Sequence, residues 1–171
     1  SVQIKSASGD IQLANLKADA VIATASGSVH VKDARAVQIE SVSGDVDLLD
    51  TVGKIDVKTT SGELHVSGEI TQPLHYTSVS GDLMMAGSCR VASCKVSAET
   101  TSGSVTIHGH KDNSFVAKLS AASGELTGTE GLTVEMKRSP GQRTEWSTKV
   151  GTGLGLIELR SMSGDLQIEP R

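Results

Sequence analysis

Along most of the chain apolar and polar residues alternate, and a Ser-Gly pair resets the alternation. Two positions after the glycine of each pair stand Ile11, Val29, Val46, Leu64, Leu83, Val105, Leu126 and Leu166. Five positions before it stand Ile4, Ile22, Ile39, Val57, Tyr76, Ala98, Leu119 and Leu159. The residues between are mostly polar, as in Gln3 and Lys5, Gln38 and Glu40, or Asp56 and Lys58. Period-two alternation on both sides of a glycine turn predicts strand, tight turn, strand. No window carries a sustained apolar stripe at helical spacing.

The pair recurs with glycines at Gly9, Gly27, Gly44, Gly62, Gly81, Gly103, Gly124 and Gly164, in steps of 18, 17, 18, 19, 22, 21 and 40 residues. The last step is two periods long, which predicts one coil with a degenerate turn at Ser139-Pro140-Gly141. A coil of this length cannot bury its apolar side alone, whereas stacked coils about 4.8 Å apart can. The fold expected is all-β: a parallel β-solenoid, or β-helix, of about nine coils of 17–22 residues, in a single domain over residues 1–171. An irregular excursion is expected over residues 128–155. The glycine supplies a corner angle that other residues resist. Hydroxyls three positions before it (Ser6, Thr24, Ser41, Thr59, Ser78, Thr100, Ser161), and the Ser directly before it, are expected to satisfy backbone groups there.

Composition narrows the function classes. With 2% aromatic residues the core must be thin layers of Val, Ile, Leu and Ala. A formal net charge of −4, with no concentrated basic face, argues against a nucleic-acid partner. No apolar run approaches the roughly 18 residues of a membrane helix, so direct insertion is not expected. Two cysteines, Cys89 and Cys94, flank a turn between coils; a bridge and a free pair both fit.

The repeated Ser8-Gly9-Asp10-Ile11-Gln12-Leu13 pattern, seen again at Ser43-Gly44-Asp45-Val46, Ser80-Gly81-Asp82-Leu83 and Ser163-Gly164-Asp165-Leu166, resembles the bacterial adhesin-like β-solenoid family over nearly the whole chain. That resemblance implies the solenoid, a protein or cell-surface partner and a place in the cell envelope. The tail from Lys137 to Leu159, with its basic loop and Trp146, is similar to a smaller uncharacterised eukaryotic group, which implies mitochondria as the alternative compartment.

The most regular polar feature is an acidic column just after the turn glycine: Asp10, Asp45, Glu63, Asp82, Glu125 and Asp165. Stacked carboxylates could attract cations or a basic peptide, but each Asp capping its own turn is the simpler expectation. His30 and His65 share a coil position two coils apart, about 9.6 Å by strand spacing and too far to share a metal. His108-x-His110 offers two ligands without an evident third. No metal or other cofactor is expected, and serines repeated in every coil are explained by the repeat before catalysis. The best protruding contact is the loop bearing Lys137, Arg138 and Arg143 ahead of Trp146: charge, a proline-stiffened turn and an aromatic anchor. The simpler reading there is a surface hairpin whose Trp covers the rod.

The chain starts inside a strand at Val2-Gln3-Ile4, leaving an open edge, while Pro170 after the final strand would blunt the other end. A fragment of a longer protein is one expectation from that start. The leading function is a non-catalytic binding or scaffold module presenting flat faces. The alternatives are end-to-end self-association through open coil edges and a polysaccharide-acting β-helix enzyme.

Overall fold

Each repeat folds as two strands joined at the Ser-Gly corner. The computed structural model describes residues 1–109, 113–128, 132–137 and 143–169. Its first six coils are β1 (Val2–Ser6) with β2 (Ile11–Leu13), β3 (Asp19–Thr24) with β4 (Val29–Lys32), β5 (Ala36–Ser41) with β6 (Val46–Leu49), β7 (Ile55–Ser61) with β8 (Leu64–Glu69), β9 (Leu74–Ser80) with β10 (Leu83–Ser88), and β11 (Lys95–Ser102) with β12 (Val105–His108). A seventh coil, β13 (Phe115–Ser123) with β14 (Leu126–Thr127), is followed by β15 (Val134–Lys137) and β16 (Thr144–Val150). The chain then makes a last coil, β17 (Gly155–Ser163) with β18 (Leu166–Glu169). No described residue is helical.

The coils stack in parallel and in register, so that Val2, Ala20, Val37, Ile55, Leu74 and Val96 form one continuous column. Two sheets result. One has ten strands in the order β1-β3-β5-β7-β9-β11-β17-β13-β16-β15, and the other has eight in the order β14-β18-β12-β10-β8-β6-β4-β2. The β-solenoid is thus the observed fold, with two corrections. The described residues form eight coils where about nine were expected, giving a stack roughly 34 Å tall at the usual strand spacing. The 40-residue step is no lost coil: it holds a hairpin in which β16 runs antiparallel to β13, and β15 antiparallel to β16. Ser139-Pro140-Gly141 lies outside the described residues. The second correction is order. The last coil in sequence is inserted between the sixth and seventh, with β17 pairing with β11 on one side and β13 on the other. The strand before Pro170 therefore closes no end of the rod, and Pro170 itself lies outside the described residues.

The inside and outside assignment holds throughout. Ile22, Ile39, Val57, Tyr76, Leu119 and Leu159 are buried, as are Val29, Val46, Leu64, Leu83, Val105 and Leu166. The two outer coils are looser, with Ile4 and Leu13 partly buried in the first and Leu126 partly buried in the seventh. Such a core is close-packed hydrocarbon with almost no aromatic volume, so its stability rests on many thin layers rather than a few large side chains.

The corner is a stacked glycine ladder. At Gly62 the backbone angle φ is +121°, a region that side chains resist, and a Cβ there would drive into the carbonyl oxygen of Gly44 in the coil below. Gly81 shows that close approach matters independently, because it has no such φ yet a Cβ would strike the carbonyl oxygen of Gly62. In the first four coils the hydroxyl three positions earlier donates to the carbonyl two residues on: Ser6 to Ser8 (2.8 Å), Thr24 to Ser26 (3.0 Å), Ser41 to Ser43 (3.2 Å) and Thr59 to Ser61 (2.9 Å). The Ser before the glycine bonds the previous coil instead, as Ser43 does to Ala25 at 3.3 Å. Farther along, Thr100 and Ser161 stay buried with their hydroxyls unpartnered, so the expected ladder does not satisfy every coil.

A second corner, six residues after the glycine, was not evident beforehand. Asn15, Asp33 and Asp50 take φ of 55°, 55° and 52° there. Asn and Asp tolerate that left-handed region because their short polar side chains bond locally. Gly68 follows them in the next coil.

Candidate functional site

The acidic column resolves into brackets between coils. Asp10 Oδ1 accepts from the Ser28 amide at 3.0 Å, Asp45 Oδ1 from Glu63 at 3.0 Å, Asp82 Oδ1 from Ser104 at 2.7 Å and Asp165 Oδ1 from Glu125 at 3.0 Å. Each Asp therefore caps the next coil's turn rather than its own, which corrects the simpler expectation. Charge-assisted bonds of this kind are the stronger sort. Glu63 and Glu125 supply amides to the brackets, and their carboxylates accept none of these bonds.

Beside this corner the outward face of the eight-stranded sheet carries a column Gln12, His30, Asp47, His65, Met84 and Thr106. Asp47 sits between the two histidines, 2.7 Å from His30 Nδ1 and 3.6 Å from His65 Nδ1. A shallow groove of 270 Å³ runs along Asp45, Asp47, Glu63, His65 and Asp82. His108 Nδ1 lies 2.7 Å from Glu169 Oε2, while His110 lies outside the described residues. Among the described residues no three His, Cys, Asp or Glu side chains converge as a metal centre requires.

Cys89 and Cys94 form a disulfide with a Cα separation of 5.7 Å, both side chains fully buried. The bridged turn is the seat of the inserted coil. Leu156 N donates to the Cys94 carbonyl at 3.0 Å, and Ser114 N to the Cys89 carbonyl at 2.9 Å. Asn113 Oδ1 accepts from Cys89 N at 3.0 Å. A Cβ on Gly155 would collide with Cys89 Sγ, so the chain enters the inserted coil pressed against the bridge.

The contact expected from the basic loop is divided by the hairpin. Trp146 pairs in register with Leu119, on the inward face, and packs half-buried against the core. It covers the rod's end rather than projecting as an anchor. Lys137 and Arg143 take the outward face, and Arg138 lies outside the described residues. The outward residues of β17, β13, β16 and β15 line a groove of 680 Å³ in which Lys118, Lys137, Arg143 and Arg160 meet Glu135, Glu145 and Glu158. Coil insertion creates one cross-strand pair inside it, with Lys118 Nζ 3.9 Å from Glu158, and one reaching out of it, with Arg160 3.4 Å from Glu99. Lys137 and Arg143 have no ion-pair partner among the described residues.

This groove was missed as a groove, because Lys118, Glu158 and Arg160 belong to segments that only the coil exchange brings together. Their charge complementarity was the available signal.

Comparison with curated proteins and with solved structures finds no match. A family profile described as Toastrack DUF4097 matches residues 1–114, which are the first six coils and the bridged turn. Coils stacked on a Ser-Gly corner and a profile match over two thirds of the sequence place this chain in the Toastrack DUF4097 family.

Proposed function

We propose that this chain is a non-catalytic binding module whose contact surface is the outward groove of β17, β13, β16 and β15. The observation that carries the reading is the convergence of Lys137 and Arg143, uncompensated by any described ion pair, with Lys118 and Arg160 in a groove of 680 Å³. Four cations against three carboxylates favour an extended protein segment with acidic side chains spaced to reach them. The rest of the rod is a rigid stack that holds this surface. An enzyme reading would draw on Glu135, Glu145 and Glu158, but general acid work needs a carboxyl kept from neighbouring cations, and Lys118 stands 3.9 Å from Glu158. The buried Cys89–Cys94 bridge supports an oxidising compartment such as the cell envelope.

The test is an NMR titration with acidic and charge-neutral extended peptides of equal length. Binding of the acidic peptide alone, with shifts at Lys118, Lys137, Arg143 and Arg160 and loss in Lys137→Glu/Arg143→Glu, is the expected result. Equal response to both peptides, or shifts confined to the Asp45–Asp82 corner, would overturn the assignment.

The second reading, polymerisation coil on coil, draws on β1 and β2, which pair with β3 and β4 on one side and with no described strand on the other. Against it, the β13 edge that a further coil would extend is already taken by β16.

A further inference from the structure

At the hairpin end the two sheets stop at different heights. The ten-stranded sheet runs past β13 to β16 and β15, whereas the eight-stranded sheet stops at β14, in the same coil as β13. Among the described residues no strand of the eight-stranded sheet lies opposite β16 and β15, where Leu132 packs against the core and Thr148 is buried, and no described strand pairs with the outer edge of β14 or β15.

A stepped end is complementary to itself. We infer that two copies of this chain associate through their hairpin ends about a two-fold axis parallel to the strands, each hairpin supplying the two strands absent from the other's eight-stranded sheet. The step matches because overhang and deficit are both two strands. In that arrangement β15 of one copy lies beside β14 of the other, which closes both free edges.

The side chains fit the same operator. Met136 and Trp146 are register partners on the inward face, so they sit at one position along the strands. Met136 is 66% exposed, among the most exposed large apolar residues described, although its face of the strand is the one that elsewhere makes the core. The two-fold axis sets Met136 against the partner's Trp146 and Trp146 against the partner's Met136, a sulfur–aromatic pairing made twice. On the outward side, Lys137 of the β15 edge comes alongside the partner's Glu125, which flanks β14. Neither has an ion pair among the described residues. Lys118, Arg143 and Arg160 stay outside the interface, so the assembly would present them twice, with Lys137 at the border between groove and interface.

Sedimentation velocity on the full chain across a wide concentration range tests this. A monomer–dimer equilibrium without larger species is expected. Met136→Asp should weaken it by about 30-fold, as for an interface hot spot. Val52→Asp, at an equally exposed apolar residue on the opposite corner, should leave it unchanged. Unaltered melting of both variants checks folding. A Lys137→Cys/Glu125→Cys double variant, which leaves the apolar contact intact, should oxidise to a covalent dimer. A monomer at every concentration, an open series of oligomers, or a dimer indifferent to Met136→Asp would each overturn the proposal.

Discussion

Leu159 reports directly on coil order. It is fully buried in β17, between β11 and β13, whereas in a stack that followed chain order it would stand at the rod's end, as Ile4 does in β1. Removing a fully buried leucine side chain leaves a cavity between coils that cannot collapse, and Leu159→Ala should cost about 3 kcal/mol. In a chain of this size that lowers the melting temperature by roughly 6–12 °C. Ile4 is only partly buried in the terminal coil, so Ile4→Ala should cost about 1 kcal/mol, with a shift of roughly 2–4 °C. Circular dichroism melts of the two variants make the comparison. Amide exchange supplies a second readout: Leu159→Ala should speed exchange in both β11 and β13, its two neighbours. Equal melting shifts for the two variants, or faster exchange confined to one neighbour, would refute the insertion.

Three further outcomes follow from the same geometry. Gly62→Ala meets both an adverse φ of +121° and the Gly44 carbonyl, and should cost about 2–4 kcal/mol in denaturant melts. Gly9→Ala, whose added Cβ meets nothing within 4 Å, should cost clearly less. Replacing both Cys89 and Cys94 with Ala should remove about 2 kcal/mol by the loop-entropy estimate, and reducing agent should lower the melting point of the parent but not of the variant. Burial is the main cause holding the Tyr76 hydroxyl above its usual 10.0, with the nearby Ser78 side chain working the other way. The folded chain then prefers the neutral phenol: stability is unaffected below pH 10.0 and falls above it, as the unfolded chain ionises first. Tyr76→Phe should abolish that part of the alkaline loss in melts between neutral and high pH.

The solenoid was legible because one rule repeats. Ile39, Val57 and Leu64 lie where period two puts them, since a residue facing the core of a stacked coil has no alternative that keeps its neighbours buried. The hairpin was not legible for a related reason. Val134-Glu135-Met136-Lys137 alternates just as a solenoid strand does, and alternation carries no information on whether the neighbour runs parallel or antiparallel. A 40-residue step therefore read as two coils. The groove inherited that error, because Lys137 and Arg143 were visible while Lys118 and Arg160 were assigned to coils that do not adjoin in the expected order. The division of Trp146 from the basic residues also needed strand parity in the hairpin, which its register with Leu119 fixes.

Coil order nevertheless left a mark in the sequence, at the position after each turn glycine. Read along the chain these residues are Asp10, Ser28, Asp45, Glu63, Asp82, Ser104, Glu125 and Asp165. Asp alternates with another residue until the last two, where the alternation breaks. Treating Asp and Glu together as acidic hides the break, yet the two differ physically: in every bracket it is the shorter Asp carboxylate that accepts from the next coil's amide, as Asp82 does from Ser104 at 2.7 Å. Exchanging the last two coils restores strict alternation, and that is the order in which they stack. In chain order the Glu125 amide would face Ser104 and Asp165 would have no coil beyond it. In the observed order Asp165 accepts from Glu125 at 3.0 Å, and the same exchange sets Arg160 beside Glu99 and Glu158 beside Lys118. One bracket and two ion pairs thus depend on the insertion. Exposed pairs contribute little each, so their effect is on register and order more than on total stability. Exchanging the residues at 125 and 165, Glu125→Asp with Asp165→Glu, would move the bracketing Asp to the coil of β13 and β14, beyond which no described coil of the same chain offers an amide. At concentrations where the chain is monomeric, the pair should lose the bracket and melt lower, while Glu125→Asp alone, which keeps Asp165 in place, should not.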